Sequence, residues 1–272
     1  MGLGSKIYFM SVHEIDYQIF GEEMQYVSVE LDPQETAIAE PGAFLMMEEG
    51  IQMETIFGDG SQQQNSILGK LFQAGKRALV GESLFMTAYT NMQTGKKKVS
   101  FASPYPGKII PMFLPNLGGK VICQKDAFLC AAKGVSIGIE FQRKLGTGLF
   151  GGEGFIMEKL EGEGMAFLHA CGHVFEKELM PGEVLKVDTG CIVGFTSTVN
   201  YDIQFVGGIK NTLFGGEGLF FATLTGPGKV WIQSLPISRL AGRILAYGTY
   251  ARKEEGSILG GIGNILDGDG WK

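Results

Sequence analysis

Three carboxylates, Glu82, Glu153 and Glu217, stand in near-copies of one phrase: Gly81-Glu82-Ser83-Leu84-Phe85, Phe150-Gly151-Gly152-Glu153-Gly154-Phe155 and Phe214-Gly215-Gly216-Glu217-Gly218-Leu219-Phe220. If an axis relates the three copies, their oxygens converge as a ring suited to a hard cation, which takes several oxygen ligands. The same residues also suit a structural role, accepting hydrogen bonds from backbone N–H groups at a Gly-Gly turn, and this accounts for the flanking glycines with no ligand at all. Repeated residues most often serve the repeated fold, so the turn-capping role is the preferred one.

His169-Ala170-Cys171-Gly172-His173 offers imidazole and thiolate groups two residues apart, which a strand places on one face, and both are good zinc ligands. No fourth ligand stands nearby and Gly172 interrupts the alternation, so no metal is assigned. A Ser-His-Asp hydrolase needs its nucleophile on a sharp turn, and the chain has no GxSxG. Gly226-Pro227-Gly228 is no dinucleotide loop, because Pro227 lacks an N–H that a phosphate would use and a strand pattern follows. The P-loop pattern is absent. Trp231, between Val230 and Ile232, suits core packing better than base stacking. No catalytic residue and no cofactor is assigned.

The elements that position these groups come in thirds. Asp188-Thr189-Gly190-Cys191-Ile192-Val193 lies 27 residues before Glu217, counted from Gly190, and Gln124-Lys125-Asp126-Ala127-Phe128-Leu129 lies 27 before Glu153, counted from Asp126. Glu40-Pro41-Gly42-Ala43-Phe44-Leu45 lies 40 before Glu82, so the first third carries an insertion of 13. Turn phrases at Asp32-Pro33-Gln34-Glu35, Pro115-Asn116-Leu117-Gly118-Gly119 and Met180-Pro181-Gly182-Glu183 precede these stretches. Period-two alternation, as in Tyr26-Val27-Ser28-Val29-Glu30-Leu31, reads as strand. The expected fold is therefore all-β: a single domain over 1–236 built of three repeats, near 20–105, 106–172 and 173–236, each burying its apolar face against the others.

Two segments depart from the repeat. The insertion, roughly 60–78, sets Ile67, Leu68, Leu71 and Phe72 on one face of a short expected helix. Ile237, Leu240, Ile244 and Leu245 predict a second short helix, at 237–250, that caps the β-structure. The tail 251–272 contains Ile258 and Leu259 and repeats the insertion's Ser-Ile-Leu-Gly; it is expected to be flexible unless a partner orders it.

The whole sequence of 272 residues carries a net charge of -6, against the Lys and Arg excess that drives non-specific nucleic-acid binding. Its one basic run, Lys96-Lys97-Lys98, fits a solvated hairpin tip. Four cysteines without a CxxC pair, and no charged-then-apolar leader, indicate a cytoplasmic setting.

Taken together, Val187-Asp188-Thr189-Gly190, Phe214-Gly215-Gly216-Glu217-Gly218-Leu219-Phe220, Gly226-Pro227-Gly228-Lys229-Val230-Trp231-Ile232-Gln233-Ser234 and Gly81-Glu82-Ser83-Leu84-Phe85 resemble the bacterial, uncharacterised branch of the altered-inheritance-of-mitochondria (mitochondrial biogenesis) family, from about Tyr17 to Pro236. The resemblance implies three copies of a β-unit similar to the tryptophan-attenuation protein, set around a pseudo-threefold axis. It implies no catalytic residues, and the mitochondrial members are associated with inner-membrane organisation. Two functions follow as expectations. The first is a non-enzymatic scaffold or interaction protein, peripheral to a membrane at most, whose contacts are with a protein partner or itself through the insertion and tail (Ile67, Leu68, Leu71, Phe72, Ile258, Leu259). The alternative is a small-ligand- or metal-binding domain using Glu82, Glu153 and Glu217.

Overall fold

Alternation makes the strands. In Tyr26–Leu31 the side chains of Val27, Val29 and Leu31 are fully buried while Tyr26, Ser28 and Glu30 are half-exposed, the pattern of a strand with one face on a core. The structure, a computed structural model, describes residues 15–57, 85–143, 155–205, 220–245 and 247. Glu82, Glu153, Glu217, Ile67, Leu68, Leu71, Phe72, Ile258 and Leu259 lie outside these.

The chain up to residue 102 supplies β1 (Asp16–Phe20), β2 (Tyr26–Leu31), β3 (Thr36–Ala39), β4 (Phe44–Met47), β5 (Ile51–Phe57), β6 (Phe85–Asn91) and β7 (Lys97–Ala102). Next come β8 (Gly107–Phe113), β9 (Lys120–Gln124), β10 (Phe128–Ala132), β11 (Val135–Arg143), β12 (Phe155–Gly162) and β13 (Met165–Cys171). The last are β14 (Val174–Leu179), β15 (Val184–Asp188), β16 (Ile192–Thr196), β17 (Asn200–Phe205), β18 (Phe220–Thr225) and β19 (Gly228–Gln233). The fold is all-β with one described α-helix, at 237–245, besides short 3-10 turns at Leu114–Leu117, Lys125–Ala127 and Thr189–Cys191. That helix occurs where the apolar spacing places it, but Ile244 and Leu245 are exposed, and its tie to the strands is Arg239, which pairs with Asp188 at 2.9 Å. No described helix is long and apolar enough to cross a membrane.

Four antiparallel sheets form, ordered β1-β2-β7-β4, β5-β6-β3-β10-β13-β8, β11-β12-β9-β16-β19-β14 and β15-β18-β17. They pack through three cores. The first joins the two six-stranded sheets and contains Ile38, Phe128, Leu160, Leu168 and Trp231. The second joins the four-stranded sheet to its six-stranded neighbour through Val29, Phe101, Leu129 and Phe167. The third joins the three-stranded sheet to the other six-stranded one through Met157, Phe195, Ala222 and Leu224. Each large side chain so buried contributes about 1.5–3 kcal/mol.

Details recur along the chain. A one-residue bulge interrupts β4 against β7 between Phe44 and Met46, β10 against β13 between Phe128 and Cys130, and β16 against β19 between Ile192 and Gly194. The N–H of Asn91 donates to Glu35, that of Gly162 to Gly119 and that of Gly226 to Glu183, each closing a turn onto a later strand. In the first and third of these turns a glutamate accepts the N–H that opens it, Glu35 from Asp32 and Glu183 from Met180. The third turn residue is left-handed in both, Gln34 at φ 67° and Gly182 at φ 77°. The basic run does not sit at a hairpin tip, because β6 and β7 belong to different sheets: Lys97 and Lys98 open β7, and Lys96 just before it is held at 2.9 Å by both Asp16 and Glu30. At Gly107 a Cβ would collide with the Ala170 carbonyl, so the close pairing of β8 with β13 requires glycine there.

Candidate functional site

Of the groups read as capable of chemistry, the described residues contain the His169 cluster, and strand geometry takes it apart. His173 follows β13 and is exposed, while Cys171 and His169 are buried. The His169 ring lies 4.8 Å from that of Tyr105 and hydrogen-bonds the Phe128 carbonyl, leaving Nδ1 without a partner. Burial pushes its pKa down to about 4, so the ring is neutral at physiological pH. Burial also raises the thiol pKa of Cys123, Cys130 and Cys171, so these remain thiols rather than nucleophilic thiolates. Among the described residues no three or more His, Cys, Asp or Glu side chains are placed to share a metal ion.

A polar cluster that sequence reasoning missed sits where the two six-stranded sheets meet. Glu158 of β12 is 1% exposed, and its Oε1 has no partner. Burial, and then the neighbouring Glu40 carboxylate, lift its pKa to about 8. Glu40, just after β3, is pushed to about 7 by burial and then by Asp126. Lys125 opposes both shifts. The Tyr105 hydroxyl donates to the Asp126 carbonyl at 3.0 Å, and burial raises its pKa far above the usual phenol value. Two acids so placed retain protons near neutrality, and the neutral His169 imidazole stands against the Tyr105 ring. A signal was present: in Phe155–Gly162 the period of two puts Glu158 on the same face as Ile156 and Leu160, an acid on a core-facing position.

The second feature is apolar and exposed. Every residue of β4 is open to solvent: Phe44 40%, Leu45 46%, Met46 51% and Met47 38%. Strand β4 pairs with β7 on one side, and among the described strands nothing pairs with its other edge. The same holds for the outer edge of β15, whose partner is β18. Trp231 is buried as expected of a core residue, and its indole N–H donates to Glu176, which also holds Lys229 at 2.9 Å.

A model of the family described as Mitochondrial biogenesis AIM24 matches residues 17–235. A protein of Streptococcus pyogenes serotype M6 (strain ATCC BAA-946 / MGAS10394), described as uncharacterized, is 30% identical over 230 residues, covering 82% of this chain and 88% of its own. A crystal structure of another Streptococcus pyogenes protein superimposes with a TM-score of 0.66 at 22% identity, covering 86% of this chain and 99% of that one. At that identity the likeness is one of fold.

Proposed function

We propose, from the premise that this chain belongs to the mitochondrial biogenesis AIM24 family in its bacterial branch, that it is a non-enzymatic scaffold acting by self-association. The observation that carries this reading is β4, a strand of four consecutive apolar residues exposed along an unpaired edge. Such an edge is a template for a further strand, and proteins that do not use one blunt it with charge, proline or a cover.

The architecture within this reading is three copies of one β-unit, β2–β7, β8–β13 and β14–β19. The bulge recurring at Met46, Cys130 and Gly194 supports it, as do the equivalent N–H donations of Asn91, Gly162 and Gly226. A cytoplasmic location accords with four cysteines that form no disulfide. The insertion with Ile67, Leu68, Leu71 and Phe72, and the tail with Ile258 and Leu259, form further contact surfaces, and protein ranks above lipid as the partner because the chain is acidic. Deleting 61–76 and, separately, 254–272 is expected to leave a folded β-core while reducing assembly size or captured partners. An unchanged elution volume and partner set from both deletions would remove these segments from the interface.

A further inference from the structure

We infer that the cleft beside Trp231 is a seat for an extended segment carrying an aromatic side chain, and that residues 6–13 of the same chain fill it, with Tyr8 against the indole. This goes beyond the self-association reading and does not depend on it.

One such seat is already filled. Where the four-stranded sheet packs on its six-stranded neighbour, β1 lies beyond β2, and its Tyr17, opposite Val29, stands edge-on to Phe167 of β13 with ring centroids 4.8 Å apart. Ile19, opposite Val27, packs on the same core. The bulges identify the equivalent positions where the two six-stranded sheets meet. Met46 faces Ser100, which faces Ser28; Cys130 faces Phe167, which faces Pro111; Gly194 faces Trp231, which faces Glu176. Phe167 thus corresponds to Trp231, and Val29, one residue past Ser28, corresponds to Met112, one residue past Pro111. The place that Tyr17 takes between Val29 and Phe167 is therefore repeated between Met112 and Trp231.

At that place the protein has a cleft of about 240 Å³, whose lining includes Ile110, Met112, Phe113, Leu117, Glu176 and Trp231. Met112 and Trp231 are there as the equivalence requires, and so is Ile110, the counterpart of Val27. No described strand lies beyond β8 as β1 lies beyond β2. A cavity of about 150 Å³ holds a benzene ring, so this cleft admits one aromatic side chain with a stretch of backbone. Its edge is no template for a complete ladder. The N–H groups of Gly107 and Ile109 point outward and are taken by the Glu23 carbonyl and the Gln25 side chain, and Pro111, next on the same side, has none. An occupant is held mainly by its side chains.

Sequence and chain direction choose the occupant. Tyr8-Phe9-Met10-Ser11-Val12 alternates as Ile15-Asp16-Tyr17-Gln18-Ile19 does, with an apolar residue two places after a tyrosine in both. Residues 6–13 also lead into β1 at the right end of the molecule. Asp16 opens β1 opposite Glu30, beside the turn at Asp32–Glu35, and the cleft reaches the equivalent turn through Asn116 and Leu117. The two turns correspond because each accepts from a later strand, Glu35 from the Asn91 N–H and Gly119 from that of Gly162. From the cleft the segment runs along β8 towards that turn and passes into β1 at Ile15, which is buried against the core.

The full-length chain with benzoylphenylalanine in place of Tyr8 tests this. Irradiation is expected to give a product at the mass of one chain, 29.4 kDa, joining position 8 to the peptides that contain Met112 or Trp231, in a yield independent of protein concentration. The unaltered chain supplies a second measurement, free of the bulky probe: amide hydrogens of residues 6–13 are expected to exchange at least about tenfold more slowly than in Tyr8→Ala, with the circular dichroism of the two chains the same. Cross-links that fall outside the cleft, together with equal exchange in parent and Tyr8→Ala, would overturn the proposal while leaving self-association standing. A cleft cross-link formed only between two chains would overturn the assignment to the same chain.

Discussion

Glu158→Gln raises the melting temperature at pH 8.5 and leaves it nearly unchanged at pH 5. Glu158 is buried with an unpartnered oxygen, and its folded pKa is raised from 4.5 to about 8. In the unfolded chain it ionises near 4.5, so between these values the native state holds a proton that the unfolded state has released. Stability is therefore full below about pH 4.5 and is lost as pH rises through 8. Glu40, raised to about 7 by burial and then by Asp126, contributes in the same direction, and its carboxylate adds to the shift of Glu158. His169 works oppositely, since its depressed pKa of about 4 makes stability fall as pH drops from 6.5 towards 4. The window that isolates the acids is thus pH 6.5 to 8.5. The neutral amide removes the ionisation cost, a gain on the order of 2–5 kcal/mol at the alkaline end. Thermal melts across this window would read it, and parallel curves for variant and parent would contradict the assignment.

Gln233→Leu is expected to destabilise the chain by about 2–6 kcal/mol, because two buried backbone groups lose their partner at about 1–3 kcal/mol each. Gln233 Oε1 accepts from the Cys171 N–H and Nε2 donates to the Gly190 carbonyl, both at 2.9 Å. One side chain so ties the end of β13 to the turn at Thr189–Cys191 and to β19. Leucine fills a similar volume, so the loss measures hydrogen bonding rather than a cavity. Urea unfolding should show a lower midpoint with an unchanged slope. Gln233→Glu, which keeps the acceptor but not the donor, should fall between the two, and a midpoint for Gln233→Leu equal to the parent's would refute the account.

What the sequence made readable was local. The alternation of Val27, Val29 and Leu31, the turns at Asp32-Pro33 and Met180-Pro181, and the apolar spacing at 237–245 depend on neighbours within a few residues, and the strands, turns and helix occur there. Sheet order is different in kind. The pairing of Ala39 with Cys130 joins positions 91 residues apart (130 − 39), and no local pattern specifies which strand meets which. Nor did the phrase Ala43-Phe44-Leu45 announce that β4 would be exposed, since Ala127-Phe128-Leu129 reads alike and is buried. The difference comes from a neighbouring strand, present in one case and missing in the other. The period of two marks Glu158 as an acid on a core-facing position, while the repeated Glu82, Glu153 and Glu217 lie outside the described residues. The raised pKa of Glu158 comes from burial and then from Glu40, which follows β3 of the other six-stranded sheet and is brought near by the packing of the two sheets.

The central claim is that the chain works as an assembly of copies, and sedimentation velocity of the unaltered full-length protein over a wide concentration range tests it most directly. The account predicts a species at a whole-number multiple of 29.4 kDa, greater than one and persisting on dilution. A single monomeric boundary at every concentration would contradict it.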